Sequence, residues 1–158
     1  MNLLCDKVIK VLREGLGEAR GIQRFYFGNP DELAAADLPC IFVQPINKTQ
    51  DQLDDVYDQI TADVLVGVCV DPAKYQRKNT NEGTAERFLM EIEGGRATDG
   101  SLLQTSISYV MRHHFTLDNT IVFQSHASVW GERDWTGGVA KEIHTYFKLE
   151  FTVESNIT

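Results

Sequence analysis

Residues 143–154 read "IHTYFKLEFTVE". Ile143, Thr145, Phe147, Leu149, Phe151 and Val153 fall on one side of an extended chain, and His144, Tyr146, Lys148, Glu150, Thr152 and Glu154 fall on the other. Side chains of a strand point alternately to its two faces, so this pattern predicts a strand with one side against a core and the other against water or a partner. A second stretch repeats the pattern. In residues 60–71, Ile60, Ala62, Val64, Val66, Val68 and Val70 share one face, while Thr61, Asp63, Gly67, Cys69 and Asp71 share the other, with Leu65 as the exception.

Working outward, "LPCIFVQP" (38–45) reads as a further strand bounded by prolines, and "IVFQSHASVW" (121–130) as one more. Between it and the C-terminal strand, "GERDWTGG" (131–138) has the length and glycine content of a hairpin loop. Helical spacing appears elsewhere. Over residues 3–16, Leu4, Val8, Val11, Leu12 and Leu16 form one apolar stripe, opposed by Asp6, Lys10, Arg13 and Glu14. In "GTAERFLMEIEGG" (83–95), Ala85, Phe88, Leu89 and Ile92 line up, and Gly94 and Gly95 close the helix. "SLLQTSISYVMRHHF" (101–115) fits a helix through Leu103, Ile107, Val110 and Met111, although its Thr, Ser, Ile and Val content also suits a strand. Grouped strands with intervening helices, without strict β-α-β alternation, predict an α+β fold: a mostly antiparallel β-sheet with helices packed on one face. At 158 residues, one domain spanning 1–158 is expected.

Composition narrows the function. The chain is 42% hydrophobic and 24% charged, with a formal net charge of −8, values that suit a folded chain. Nucleic-acid binding needs a basic stripe, and the nearest candidate, "KYQRK" (74–78), supplies three positive charges on an expected loop. No run approaches the roughly 18–20 apolar residues of a membrane span. The opening "MNLLCDKVIKVLREGL" is interrupted by charge too often for a signal segment, which predicts residence in the cytoplasm where the chain is made. Cys5, Cys40 and Cys69 are widely spaced among apolar residues, which predicts reduced thiols, and none stands in a C-x-x-C pair that would favour zinc.

Three groups of residues invite chemistry. His113 and His114 are adjacent, so they diverge on a helix or a strand, and one ion would not easily take both. The expectation is that they end a helix, where cationic side chains favour the carbonyl end. Asp51, Asp54, Asp55 and Asp58 have helical spacing but lack a calcium-loop pattern, and are expected to form a solvated lead-in to the strand at Ile60. Cys40 and Cys69 sit in apolar strands and are expected to be buried and inert as nucleophiles. No phosphate-cradling motif follows a strand, and the glycines of "EGGRATDG" (93–100) read as turns. The stretch "WGERDWTGG" (130–138) stands apart, because Trp130, Arg133 and Trp135 fall beside glycines at an expected hairpin tip. Aromatics with arginine favour a partner surface. The alternative is that the indoles fold back over the sheet as a lid on the core.

The N-terminal amphipathic helix, the "LPCIFVQP" strand, "DQITADVLVGVCVDP" (58–72), "AERFLMEIEGG" (85–95) and the final "EIHTYFKLEFTVES" (142–155) together resemble the tail-terminator and neck (head–tail joining) proteins of tailed bacteriophages. That resemblance covers most of the chain and rests on element order and strand texture. It implies a structural virion protein, assembled in the host cytoplasm as a hexameric ring. Such a ring caps the tail tube, contacts the tube and the head–tail connector, and lets DNA pass through its lumen without specific binding. It implies no catalytic residues, no cofactor and no metal. Two alternatives stand beside it: a small cytosolic enzyme using His113 or His114 with Cys69 or the Asp51–Asp58 carboxylates, and an adaptor domain binding a peptide along an open sheet edge.

Overall fold

The computed structural model describes residues 2–75, 84–117, 121–135 and 138–154. Three α-helices and five strands follow one another as α1 (Asn2–Leu12), β1 (Arg24–Phe27), β2 (Cys40–Gln52), β3 (Tyr57–Val70), α2 (Ala85–Gly94), α3 (Ile107–Leu117), β4 (Ile121–Trp135) and β5 (Gly138–Glu154). The strands make one sheet in the order β1-β2-β3-β5-β4. Pairing is antiparallel between β2 and β3, β3 and β5, and β4 and β5, and parallel only between β1 and β2. The α+β fold expected from the sequence is what the chain adopts.

The alternation in β3 and β5 sets the first face of the sheet. Val64, Val66, Val68 and Val70 of β3 pack with Ile143, Phe147 and Leu149 of β5, and the stripes of all three helices cover them: Leu4, Val8 and Leu12 of α1, Leu89 and Ile92 of α2, and Ile107, Val110 and Met111 of α3. Each of these fifteen side chains is essentially removed from water. At roughly 1.5–3 kcal/mol per fully buried aliphatic or aromatic side chain, this face is the main source of stability. Past Leu12, α1 widens into a π turn at Arg13–Gly17.

Local chemistry explains the helix limits. The Thr84 hydroxyl accepts from the Arg87 N–H (3.3 Å) at the start of α2, and the Gly95 N–H donates to Glu91 O (3.0 Å) at its end. For α3, the Ser106 hydroxyl accepts from the Tyr109 N–H (3.1 Å), which starts the helix at Ile107. The residues before it form a turn closed by a bridge between Arg96 and Leu102.

The second face is built differently. A parallel pair needs a crossover, and the crossover from β1 to β2, residues 28–39, lies as a strap against the side of the sheet opposite the helices. Leu33 and Leu38 of the strap pack on Cys40, Phe42, Leu65 and Cys69, with Tyr26 alongside. Gly67 has a specific job here. A Cβ at that position would collide with the Phe42 ring, so the ring lies over bare backbone.

Two sequence expectations are corrected. The segment read as a loop from Gly131 is strand as far as Trp135, in register with β5 down to Trp135 opposite Gly138, and Thr136 and Gly137 lie outside the described residues. The aspartates are not a lead-in to one strand: Asp51 belongs to β2, Asp58 to β3, and Asp54 and Asp55 to the turn between them. Asp54 Oδ1 accepts from the Val56 and Tyr57 N–H groups (both 2.8 Å), the turn-forming use of a short carboxylate.

Candidate functional site

Two regions concentrate chemistry or exposed apolar surface. The first lies under the strap. Cross-strand register puts Cys40 opposite Cys69, Cys69 opposite Glu142, and Glu142 opposite Gly131, while Phe42, Gly67, His144 and Val129 form the neighbouring row. Arg133 is paired with Ala140, so Glu142 is its diagonal neighbour, within reach of a long side chain.

Glu142 is the hub. Its Oε2 receives the Cys69 thiol at 2.9 Å and lies 3.1 Å from Arg133 Nε, while its Oε1 lies 3.1 Å from His144 Nε2. The histidine contact is at ion-pair distance but off hydrogen-bond geometry. Arg133 also donates through Nη1 to the Pro30 carbonyl (2.7 Å), tying the strap to β4, and its guanidinium sits 5.4 Å from the Phe42 ring centre. His144 meets the same ring edge-on at 5.4 Å. Side-chain exposure is 16% for Arg133 and 7% for Glu142, so this is an ion pair largely withdrawn from water.

Electrostatics follow from the packing. Burial pushes the Glu142 carboxyl up, but the contacts from His144 and Cys69 and the charge of Arg133 outweigh it and hold the carboxyl below the ordinary glutamate value. The Cys69 thiol is pushed up by its contact with Cys40, by burial and by the carboxylate it faces. Cys69 is therefore a protonated donor with no exposed surface, closed to attack on an outside electrophile while the strap is in place.

The second region is on the helix side. Between α2 and β4 runs an open groove of about 660 Å³, with Met90 and Trp130 on its walls and Ile143 beneath. Met90 is 60% exposed and Trp130 49% exposed. Ser128 donates to Glu93 across it (2.9 Å). β4 is an outer strand of the sheet, and its Ser128 and Trp130 line the groove. At the opposite end of the strands, the β2–β3 turn exposes Leu53, Val56 and Tyr57 among the four aspartates.

The residues singled out in the sequence are thus dispersed. Trp130 is at the surface, whereas Arg133, expected at an exposed tip, is folded under the strap; Trp135 ends β4, paired through its backbone with Gly138. His113 and His114 lie in the last turns of α3, His113 stacked on Tyr109 at 5.5 Å and His114 edge-on to His113 at 5.4 Å. The helices cover one face and Cys69 belongs to the other, so the proposed His–Cys pairing is not brought together. Cys5, Cys40 and Cys69 are free and buried. Of the basic stretch 74–78 only Lys74 and Tyr75 fall within the described residues, and Lys74 donates to the Leu38 carbonyl (2.9 Å), holding the end of the strap. Among the described residues, no helix is long and apolar enough to cross a membrane.

Sequence reasoning missed Glu142 and placed His144 on a face turned to water or a partner. Their signal was present but weak: Glu142, His144 and Cys69 all fall on the polar faces of their strands, where a water-facing side chain is the ordinary outcome. Compared with known families and curated proteins, the chain matches no family model and no individual curated protein.

Proposed function

We propose that this chain is a ring-forming structural subunit of a tailed bacteriophage, a tail terminator or neck protein that caps the tail tube and joins tail to head. The observation that carries the reading beyond the resemblance in element order is the presence of two unlike exposed apolar surfaces at opposite ends of one sheet. One is the β2–β3 turn, with Leu53, Val56 and Tyr57; the other is the Met90–Trp130 groove beside β4. Self-association through one patch gives a two-fold dimer, whereas association through two different patches is head-to-tail and closes into a ring when the rotation allows. The formal charge of −8 suits a lumen that DNA traverses without sticking.

The interface assignment is sharpened accordingly. Trp130 belongs to a partner surface, and Arg133 acts by holding the strap under which that end of β4 is anchored. Electron microscopy of the purified protein mixed with tail tubes from a phage lacking it tests the reading. Rings seated on tube ends, with tubes of uniform length, are expected. Tubes that stay uncapped and lengthen without limit would count against it.

A second reading has one observation in its favour. The outer position of β4, whose Ser128 and Trp130 line an apolar groove, is the geometry used to add an extended peptide as a further strand. Binding of an isolated peptide by a persistent monomer, with no effect on tail tubes, would support that adaptor role instead.

A further inference from the structure

Cys40 and Cys69 are direct partners in the antiparallel β2–β3 ladder, and both side chains point into the small core beneath the strap. Opposed residues in such a ladder have Cα atoms about 4.5–5.5 Å apart, within the roughly 4.4–6.8 Å separation that a disulfide accepts. The Glu142 carboxylate lies 2.9 Å from the Cys69 sulfur, a proton acceptor already in place. We propose that Cys40 and Cys69 form a dithiol redox site, closed to a cross-strand disulfide by a low-molecular-weight disulfide oxidant.

The reaction balances in two exchanges. The Cys40 thiolate attacks one sulfur of the oxidant, forming a mixed disulfide and releasing the first small thiolate, which takes up the Cys40 proton. Cys69 then passes its proton to Glu142 Oε2 and attacks the Cys40 sulfur, expelling the second small thiolate, which takes the proton from Glu142. Two protein thiols are oxidised to one disulfide, and one oxidant disulfide is reduced to two small thiols. The order follows from the surroundings. Cys69 is committed as a donor to Glu142, which leaves Cys40 as the thiol that meets the oxidant first.

Both thiols have no exposed surface, so the oxidant enters when the strap lifts. The strap suits local opening, because apart from one short 3-10 turn at Ala35–Asp37 it has no regular structure. It is held by bonds near its two ends: Gly28 N–H to Val43 O, Arg133 to Pro30 O, Lys74 to Leu38 O and Gln23 N–H to Pro39 O. Cys5 belongs to α1 and the helix-side core, which makes it an internal control.

The test uses the full chain. It is incubated with oxidised glutathione, blocked with iodoacetamide in denaturant, digested without reduction and mapped by mass spectrometry. A peptide linking Cys40 to Cys69 is expected in most chains, with Cys5 recovered blocked, and Cys5→Ser should form the same link in the same yield. Cys69→Ser should stop at a glutathione adduct on Cys40. Recovery of all three thiols blocked, persistent glutathione adducts without a link in the wild-type chain, or a link that involves Cys5 would overturn the proposal. The wild-type map decides the question even if a variant fails to fold.

Discussion

The two faces of the sheet are made from the same strands by different means. The helix face is apolar from Val64 to Val70 in β3 and, apart from the buried Thr145, from Ile143 to Leu149 in β5. The strap face mixes Leu33, Leu38, Phe42 and Leu65 with Cys40, Cys69, Glu142, His144 and Arg133. Burial on the first face gains free energy side chain by side chain. On the second it must first overcome the desolvation of an ion pair, which a good geometry does little more than offset. The first face therefore holds the fold together, and the second fixes where the strap lies.

The largest effect should come from the helix face. Phe147 is completely buried, and Phe147→Ala should cost about 3–5 kcal/mol in chemical denaturation. Lys148, its exposed neighbour on the opposite face, should cost under about 0.5 kcal/mol as Lys148→Ala. Equal responses would mean that the register of β5 is wrong.

On the strap face the signature is non-additivity. Glu142→Ala leaves Arg133 without its counter-charge and should cost about 3 kcal/mol, whereas Glu142→Leu combined with Arg133→Met should lie within about 1 kcal/mol of wild type. Acid should act through the same carboxylate. Because Glu142 is held below the ordinary value in the folded chain, its contribution is fully present above the unfolded value of about 4.3 and is lost as pH falls through the lower folded one. A stability-versus-pH curve should therefore be shallower below about pH 4 in the double variant than in wild type.

The smallest effect is expected at the helix end. His113→Ala with His114→Ala removes an electrostatic contribution of roughly 0.3–1 kcal/mol at the end of α3. Loss of tail capping in a double variant that remains folded by circular dichroism would show that the pair has a role beyond ending the helix.

This division also explains what could be read from the sequence. The helix face was legible because it obeys one rule, alternation in β3 and β5 matched to helical stripes such as Ala85, Leu89 and Ile92. The strap face obeys no local rule. Glu142 and Arg133 meet diagonally across a hairpin, and Cys40 meets Cys69 across another, so each contact depends on register that the residues themselves do not encode. "GERDWTGG" read as a loop because its glycines and charges are turn-like, yet Gly131 to Trp135 continue a strand whose Arg133 charge is satisfied by Glu142. The aspartates were expected as a solvated lead-in to one strand, whereas they surround a turn between two, organised by Asp54. The helix at 101–115 began later than its apolar spacing suggested, because Ser106 caps it.

The central functional claim is that two unlike surfaces join neighbouring copies head-to-tail. Its most direct test is electron microscopy of terminator-deficient tails supplied with variants of either surface: Leu53→Ser with Tyr57→Ser at the turn, or Met90→Ser with Trp130→Ser in the groove, each confirmed to be folded by circular dichroism. Neither variant should cap tails alone, since every junction in the ring repeats the defect. An equal mixture should also fail, because one intact junction can join only two subunits and cannot close a ring. Tails of uniform length with either variant, or with the mixture, would contradict the account.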